Sequence, residues 1–342
     1  MKILITGGCG FVGSNIAIYL KKKLKIARIT SIDNLTRKGS AINKNRLKNY
    51  NIKNYKVNIE DFKKLNLLPK FDIIIDCCAE PAIEASKKDP DRVFNTNLIG
   101  TYNVLKKSIK DKSNLIFLSS SRVYSIRNLR KLIGNINIKK PLKILKKINE
   151  KFETNESSSL YGFTKLASEK LIKEFFFNTN LKYIINRFGV IAGPWQFGKQ
   201  DQGFVPLWIA KHLFKKRLSY IGFGGYGHQI RDVIHIEDVC EIIFLQIKKL
   251  NKINNITFNI GGGINNSISL KGLTKKCENL TNNKIDIKKN SSTSEYDIPY
   301  YVTDNSKIKK FYNWKPKKKL DAIVQDIYKW LIENKNLRNY FK

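Results

Sequence analysis

Two residues carry the first chemical hint. Tyr161 and Lys165 stand four apart in Leu160-Tyr161-Gly162-Phe163-Thr164-Lys165, so on a helix both point from one face. A phenol loses its proton only near pH 10 when nothing perturbs it. To act as a base near neutrality it needs a neighbouring positive charge, which Lys165 can supply. A serine cluster, Ser119-Ser120-Ser121, closes the apolar run that precedes this helix. Ser120 is placed to hold a substrate hydroxyl and share its proton. A tyrosine and a lysine at this spacing also occur by chance, as a core aromatic and a solvated helix residue, and the pair gains meaning only from what surrounds it.

The surroundings are informative. Lys2-Ile3-Leu4-Ile5-Thr6 breaks into Gly7-Gly8-Cys9-Gly10-Phe11-Val12-Gly13 and resumes as a helical pattern. Gly7 permits a sharp turn, Gly10 lets a pyrophosphate approach the backbone, and Gly13 lets the helix pack closely on the strand. The free N–H groups of the helix start then face the phosphates. Twenty residues beyond Gly13 the next apolar run ends in Asp33, whose carboxylate can accept from the ribose hydroxyls of an adenosine. The acid favours NAD. Arg37 and Lys38, close behind, could seat a 2′-phosphate and leave NADP as the alternative.

These residues need a scaffold that brings them to one edge, and the hydropathy pattern predicts one. Tyr55–Ile59, Asp72–Cys78, Asn114–Leu118 and Tyr183–Phe188 read as further strands, the second nearly all apolar as a strand buried on both faces requires. Helical patterns alternate with them, including a long one over Pro90–Ile109. The expected fold is α/β, a doubly wound parallel sheet of the Rossmann kind, with ligands at the carboxyl ends of its strands. The glycine turn, Cys78-Ala79 and the serines all fall there. From Gly193 glycines, prolines and aromatics crowd in and the periodicity weakens. Residues 1–192, with 235–260 returning to them, are therefore expected to form the dinucleotide-binding domain, and 193–234 with 261–342 a smaller substrate lobe. Ile126–Ser157 is irregular and basic and reads as an insertion.

Composition sets bounds. At 342 residues the chain exceeds the size at which one core keeps growing. Five cysteines, odd in number and without C-x-x-C spacing, argue against a disulfide framework and against a zinc site. No apolar run approaches bilayer length and the first strand starts at residue 2, so a cytoplasmic protein with no membrane partner is expected. A net charge of +36 invites a non-enzymatic, nucleic-acid-associated reading. The lysines are instead scattered in pairs and triplets, such as Lys21 to Lys23 and Lys317 to Lys319, with no aromatic-interleaved stripe. A general enrichment in Lys, Ile and Asn explains them without a dedicated nucleic-acid partner.

Thr6-Gly7-Gly8-x-Gly10-x-x-Gly13, the strand-end serines and Tyr161-x-x-x-Lys165 together resemble the extended short-chain dehydrogenase/reductase family of NAD-dependent epimerases and dehydratases. Two further stretches, Asp33 to Gly39 and Gln200-Asp201-Gln202-Gly203-Phe204 leading to Gln229–His235, resemble the CDP-sugar 2-epimerase branch of it. The resemblance implies NAD as cofactor, a nucleotide-sugar substrate and a homo-oligomer, dimer or tetramer. It implies Ser120, Tyr161 and Lys165 as catalytic residues. Gly7, Gly10, Phe11, Val12, Gly13, Asp33, Asn34, Ala79 and Asn97 would join Tyr161 and Lys165 at the cofactor, with Ser121 and Arg231 at the substrate. By itself an arginine beside an aspartate, as Arg231 is, is more often a local surface pair. Family dehydratases carry an Asp-Glu pair directly after the strand-end serine or threonine; Ser121-Arg122 stands there instead, which argues against elimination of water. Thr293 and Ser294 replace the family's usual arginine ahead of Asp297, Val190 replaces a polar residue, and Ser125 a glycine. Glu80 reads as a substrate contact or a solvated loop acid, His235 and Cys9 as packed structural residues.

Overall fold

In the computed structural model the described residues are 1–81, 87–134, 138–143, 146–156, 159–199, 202–253 and 255–341. Among them the strands run, in chain order, β1 (Lys2–Thr6), β2 (Arg28–Asp33), β3 (Lys53–Lys56), β4 (Ile73–Asp76), β5 (Asn114–Ser120), β6 (Tyr183–Phe188), β7 (Val190–Ala192), β8 (Leu218–Ile221), β9 (Ile230–His235), β10 (Ile256–Ile260), β11 (Ser267–Ser269), β12 (Ile287–Asn290) and β13 (Tyr300–Tyr301). The helices are α1 (Phe11–Lys23), α2 (Ser40–Asn49), α3 (Phe62–Asn66), α4 (Pro90–Phe94), α5 (Gly100–Asp111), α6 (Ile126–Lys131), α7 (Leu160–Phe176), α8 (Phe204–Leu213), α9 (Ile236–Lys249), α10 (Leu270–Thr281), α11 (Ser306–Tyr312) and α12 (Leu320–Glu333).

The chain divides into two compact units. The first comprises Met1–Val123, Ser159–Arg187 and Val239–Phe258. Its sheet has the order β3-β2-β1-β4-β5-β6-β10, and β1 to β5 pair in parallel, with Ile5 opposite Ser31 on one side and Ile75 on the other. The order reverses beside β1, which opens a crevice at the carboxyl ends of β1 and β4, where dinucleotides bind in such folds. This is the doubly wound parallel fold expected from the sequence. Ile3, Leu4, Ile5, Ile74, Ile75 and Leu115 are wholly buried, as strands covered on both faces must be.

Two elements differ from their sequence reading. The pattern over Pro90–Ile109 is not one helix but α4, a π-helical turn at Asn95–Ile99, and α5. β3 ends at Lys56, and Val57 and Ile59 are buried off the ladder.

The second unit comprises Tyr124–Ser158, Phe188–Asp238 and Asn259–Lys342. β9 is its centre, pairing with β7 and β13 in parallel and with β11 antiparallel, while β8 and β12 form a separate ladder. The insertion, placed within 1–192 by sequence, groups with this second unit instead. Physical ties explain it: Tyr124 donates to Asn259, Ile148 bridges Thr303, and Arg130 on α6 donates to the carbonyls of Ser294 and Asp297. Within the described residues no helix is long and apolar enough to cross a membrane.

Candidate functional site

The first unit gathers most of the implicated residues. β1 ends at Thr6, and Gly7 turns with φ +59° against the Cys78 backbone, where an added Cβ would lie 2.9 Å from the Cys78 Cα. The Gly10 N–H donates to the Gly7 carbonyl at 2.9 Å. Gly10 then caps α1 with no side chain. Helix geometry leaves the N–H groups of Phe11, Val12 and Gly13 without intrahelical acceptors, and the first turn supplies no acidic side chain to them. A Cβ on Gly13 would fall 2.4 Å from the Gly7 carbonyl oxygen, whereas one on Gly10 meets only that oxygen at 3.0 Å and is otherwise in open space. A tight turn, an uncapped positive helix end and an open approach are what a pyrophosphate needs.

Asp33 closes β2. Its Oδ2 accepts from the Cys9 N–H at 3.0 Å and its Oδ1 from the Leu35 N–H at 2.8 Å. Burial pushes its carboxyl up; the two backbone bonds and the nearby Arg37 pull it back. Each oxygen still has acceptor capacity for a ribose hydroxyl. Asn34 folds its amide oxygen onto Thr36, while Arg37 is half-buried and Lys38 exposed.

Ala79 lies in the half-buried loop after β4. Asn97, wholly buried in the π-helical turn, accepts from the Glu80 N–H and donates to the Glu80 carbonyl and to Thr164 Oγ1. Its amide braces the Ala79-Glu80 loop against α7. Glu80 is buried and paired with Arg92 at 2.8 Å, so its carboxylate is tied down within the unit.

Ser120 ends β5, and its Oγ accepts from the Arg122 N–H at 3.2 Å. Ser159 caps α7 through the Gly162 N–H and so starts the helix two residues ahead of Tyr161. Burial pushes the Tyr161 phenol up, while the hydroxyl of Ser120 and the charges of Arg122 and Arg37 oppose this. The cations acting on the phenol are thus these two arginines, where the sequence suggested Lys165. Lys165 is 1% exposed, with its Nζ 4.1 Å from the centre of the Phe117 ring. Burial pushes its ammonium down, and Asp76 opposes that most strongly. Ser121 and Arg122 open a half-buried 3-10 turn directly after Ser120.

α7 is fastened by a second polar group. Glu169, one turn beyond Lys165, receives Arg187 bidentately, with Nη2 to Oε2 at 2.6 Å, and also Ser119 Oγ at 2.6 Å. This ties the helix of Tyr161 and Lys165 to the strands β5 and β6. Sequence reasoning passed over Asp76, Ser119, Glu169 and Arg187; an acid inside the apolar run of β4 was the available signal.

In the second unit Arg231 lies on β9. Its guanidinium donates to the Ile230 and Ile298 carbonyls and pairs with Asp297 at 3.3 Å. Thr293 accepts from the Phe223 N–H. His235 is buried beside Glu237 and Asp326. Of the Gln200–Phe204 stretch, Gln200 and Asp201 lie outside the described residues; Gln202 bridges Lys199, and Gly203, with φ +75°, precedes α8.

A doubly wound sheet with a glycine turn after its first strand, an acid closing the second and a Ser–Tyr–Lys group at its carboxyl edge is the arrangement a dinucleotide-dependent enzyme needs. The model of the NAD dependent epimerase/dehydratase family matches residues 3–261, and the chain belongs to that family, with NAD as its cofactor. The chain is 31% identical to the CDP-paratose 2-epimerase of Salmonella typhi over 96% of its length and 99% of the relative's. It is 27% identical to the UDP-glucose 4-epimerase of Mycoplasma genitalium, over 95% of the chain and 94% of the relative. A UDP-glucose 4-epimerase from Thermotoga maritima, solved with UDP-glucose, superposes with a TM-score of 0.81 at 25% identity, covering 97% of this chain and 99% of that one.

Proposed function

We propose that the enzyme inverts one carbon of a nucleotide-linked sugar without net oxidation, and that the carbon is C2 of a CDP-hexose, as in a CDP-paratose 2-epimerase. The observation that carries the reaction type is the surroundings of Tyr161: a serine hydroxyl and the cations Arg122 and Arg37 act on the phenol. Elimination of water from a sugar calls for a carboxylic acid beside the reacting carbon. Arg122 stands where that acid would be. The likeness to the Salmonella relative along nearly the whole chain supports CDP-paratose as substrate.

The chemistry NAD supplies when bound is reversible hydride acceptance. The protein does the rest: Tyr161 removes the hydroxyl proton from the carbon to be inverted and later returns it, and Ser120 orients that hydroxyl. The turn from Gly7 to Gly13, with Phe11 and Val12, holds the pyrophosphate, and Asp33 the adenosine ribose. Lys165 holds the other ribose, Ala79 and Asn34 flank the cofactor, and Asn97 keeps the loop of Ala79 in place. Ser121 and Arg231 serve the substrate, the guanidinium of Arg231 through the planar fork that suits a diphosphate.

The test is incubation with CDP-, UDP-, GDP- and dTDP-sugars, followed by proton NMR. Inversion at C2 of a CDP-sugar is the expected result. Inversion at C4 of a UDP-sugar, the second reading favoured by the UDP-glucose 4-epimerase relatives, would retain the reaction type and discard the substrate. Loss of water or steady release of NADH would overturn both.

A further inference from the structure

In the second unit Arg231 is aimed by a turn, and the turn is held from outside. On one side the Arg231 guanidinium leans on its own strand, Nη1 donating to the Ile230 carbonyl at 2.8 Å. On the other, Nη2 donates to the Ile298 carbonyl and to Asp297 Oδ1, the latter at 3.3 Å. That same Oδ1 accepts the Ile298 N–H at 2.8 Å, so the groups that orient Arg231 move as one piece. Downstream this piece is fixed to the sheet, where the Ile230 N–H donates to the Pro299 carbonyl at 2.9 Å and Tyr300 of β13 lies opposite Ile230. Upstream the chain leaves the sheet through a β-turn, Ser294–Asp297, closed by the Asp297 N–H on the Ser294 carbonyl at 3.0 Å. Ahead of the turn, Thr293 Oγ1 accepts the Phe223 N–H at 2.7 Å.

The outside hold is Arg130. Its Nε and Nη2 donate to the Asp297 carbonyl at 3.1 and 2.9 Å, and Nη2 also to the Ser294 carbonyl at 2.8 Å. One planar cation thus spans both ends of the turn, and its charge strengthens each bond. Two arginines share Asp297 without competing, Arg130 taking the carbonyl and Arg231 the carboxylate.

α6 gives the Arg130 guanidinium a fixed base. Ser125 caps the helix, its Oγ accepting the Asn128 N–H at 3.1 Å, while its own N–H donates to the Glu153 carbonyl at 2.9 Å. Leu129, next to Arg130, is buried. Leu132, Ile133 and Leu142 then pack against Ile230, Tyr300 and Val302, the core beneath β9 and β13.

We propose that Arg130 is a positioning residue for substrate binding: it locks the Ser294–Asp297 turn so that Asp297 and Ile298 present the Arg231 fork to the diphosphate of the nucleotide sugar. The diphosphate rests on the function proposed above; the brace from Arg130 to Arg231 does not. Without the brace the fork must be ordered at the moment of binding, and that ordering appears as lost affinity.

The experiment compares the full chain, saturated with NAD, with two variants. Arg130→Met keeps much of the bulk and loses every donor; Arg130→Lys keeps the charge but not the fork. In Arg130→Met, hydrogen exchange read by mass spectrometry should be faster over residues 293–299 and unmoved in β1 and β5. The nitrogen-15 resonance of the Arg231 guanidinium, identified by its loss in Arg231→Lys, should shift or broaden. Titration with CDP, UDP, GDP and dTDP probes the diphosphate site. The Kd of the nucleotide that the wild type binds best should rise roughly 10-fold in Arg130→Met and less in Arg130→Lys, and KM for the identified sugar should rise more than kcat falls. Arg130→Met/Arg231→Met should bind no more weakly than Arg231→Met alone.

Unchanged exchange and an unchanged Arg231 resonance overturn the brace, whatever the substrate proves to be. A loosened turn with unchanged affinity, or losses that add in the double variant, overturn the route through Arg231. A wild type that binds none of the four nucleotides overturns the diphosphate reading, and the exchange and the resonance still decide the brace. Should Arg130→Met fail to fold, Arg130→Lys is held to the same outcomes.

Discussion

Gly13→Ala tests the phosphate turn most directly. The new Cβ would lie 2.4 Å from the Gly7 carbonyl oxygen, 2.9 Å from the Gly8 Cα and 3.0 Å from the Gly7 carbonyl carbon, against an ordinary contact of at least 3.4 Å. All three are backbone atoms, so no side-chain rotation can make room. A displacement of about 1 Å falls on Gly7, which already sits against the Cys78 backbone and accepts the Gly10 N–H. Overpacking of this kind costs roughly 1–3 kcal/mol, and loss of the Gly10 bond about 1 kcal/mol more. The combined penalty of roughly 2–4 kcal/mol divides between folding and cofactor binding. Borne wholly by binding, it would raise the Kd for NAD at least ~30-fold, at 1.4 kcal/mol per factor of ten. Calorimetric titration with NAD and urea unfolding of the same variant measure the two shares. Gly134→Ala is the control: with φ +70° and nothing within 4 Å of its Cβ, it should cost about 1–2 kcal/mol of stability and leave NAD affinity unchanged. A Gly13→Ala protein with wild-type stability and wild-type affinity would refute the role given to the turn.

Tyr161→Phe should lower kcat by roughly 10²–10⁴-fold while calorimetry still detects NAD binding, and a variant that keeps its activity would show that another group is the base. Glu169→Ala leaves Arg187 buried without its partner and should cost roughly 3–5 kcal/mol in urea unfolding; adding Arg187→Met should recover much of that. Burial lowers the pKa of His212 below its ordinary 6.5, so just below that pH the unfolded chain binds the proton more readily than the folded one. Stability should therefore decline as pH falls below ~6.5, and thermal melting of His212→Gln should show a shallower decline over the same range.

What could be read from the sequence was local. The glycine turn, the acid twenty residues on and the near-continuous apolar strands each declare themselves within a short stretch, and the alternation of strand and helix points to a parallel sheet. Tyr161 and Lys165 share a helix face by spacing alone. What escaped depends on distance or on backbone detail. Nothing in the sequence near Arg130 says that it donates to carbonyls some 165 residues later, which is why the insertion looked irregular. The π-helical turn at Asn95–Ile99 breaks the 3.6-residue period within what reads as one helix, and it is this turn that carries the wholly buried Asn97. Asp76 passed as one residue within the apolar run Asp72–Cys78. Its hydrogen-bonding partners Thr6 and Thr101 come from two other elements.

The interleaving of the two units has a consequence for how the protein is made. β6 takes its outer neighbour from β10, yet the whole segment Phe188–Asp238, which belongs to the other unit, is synthesised between them. At roughly 5–20 residues per second on the ribosome, β6 waits about 3–14 s for β10, its N–H and C=O groups open to any strand that drifts by. A nascent chain stalled in that interval would carry a six-stranded sheet with a raw edge, the species on which a chaperone, or a second stalled chain, would act first.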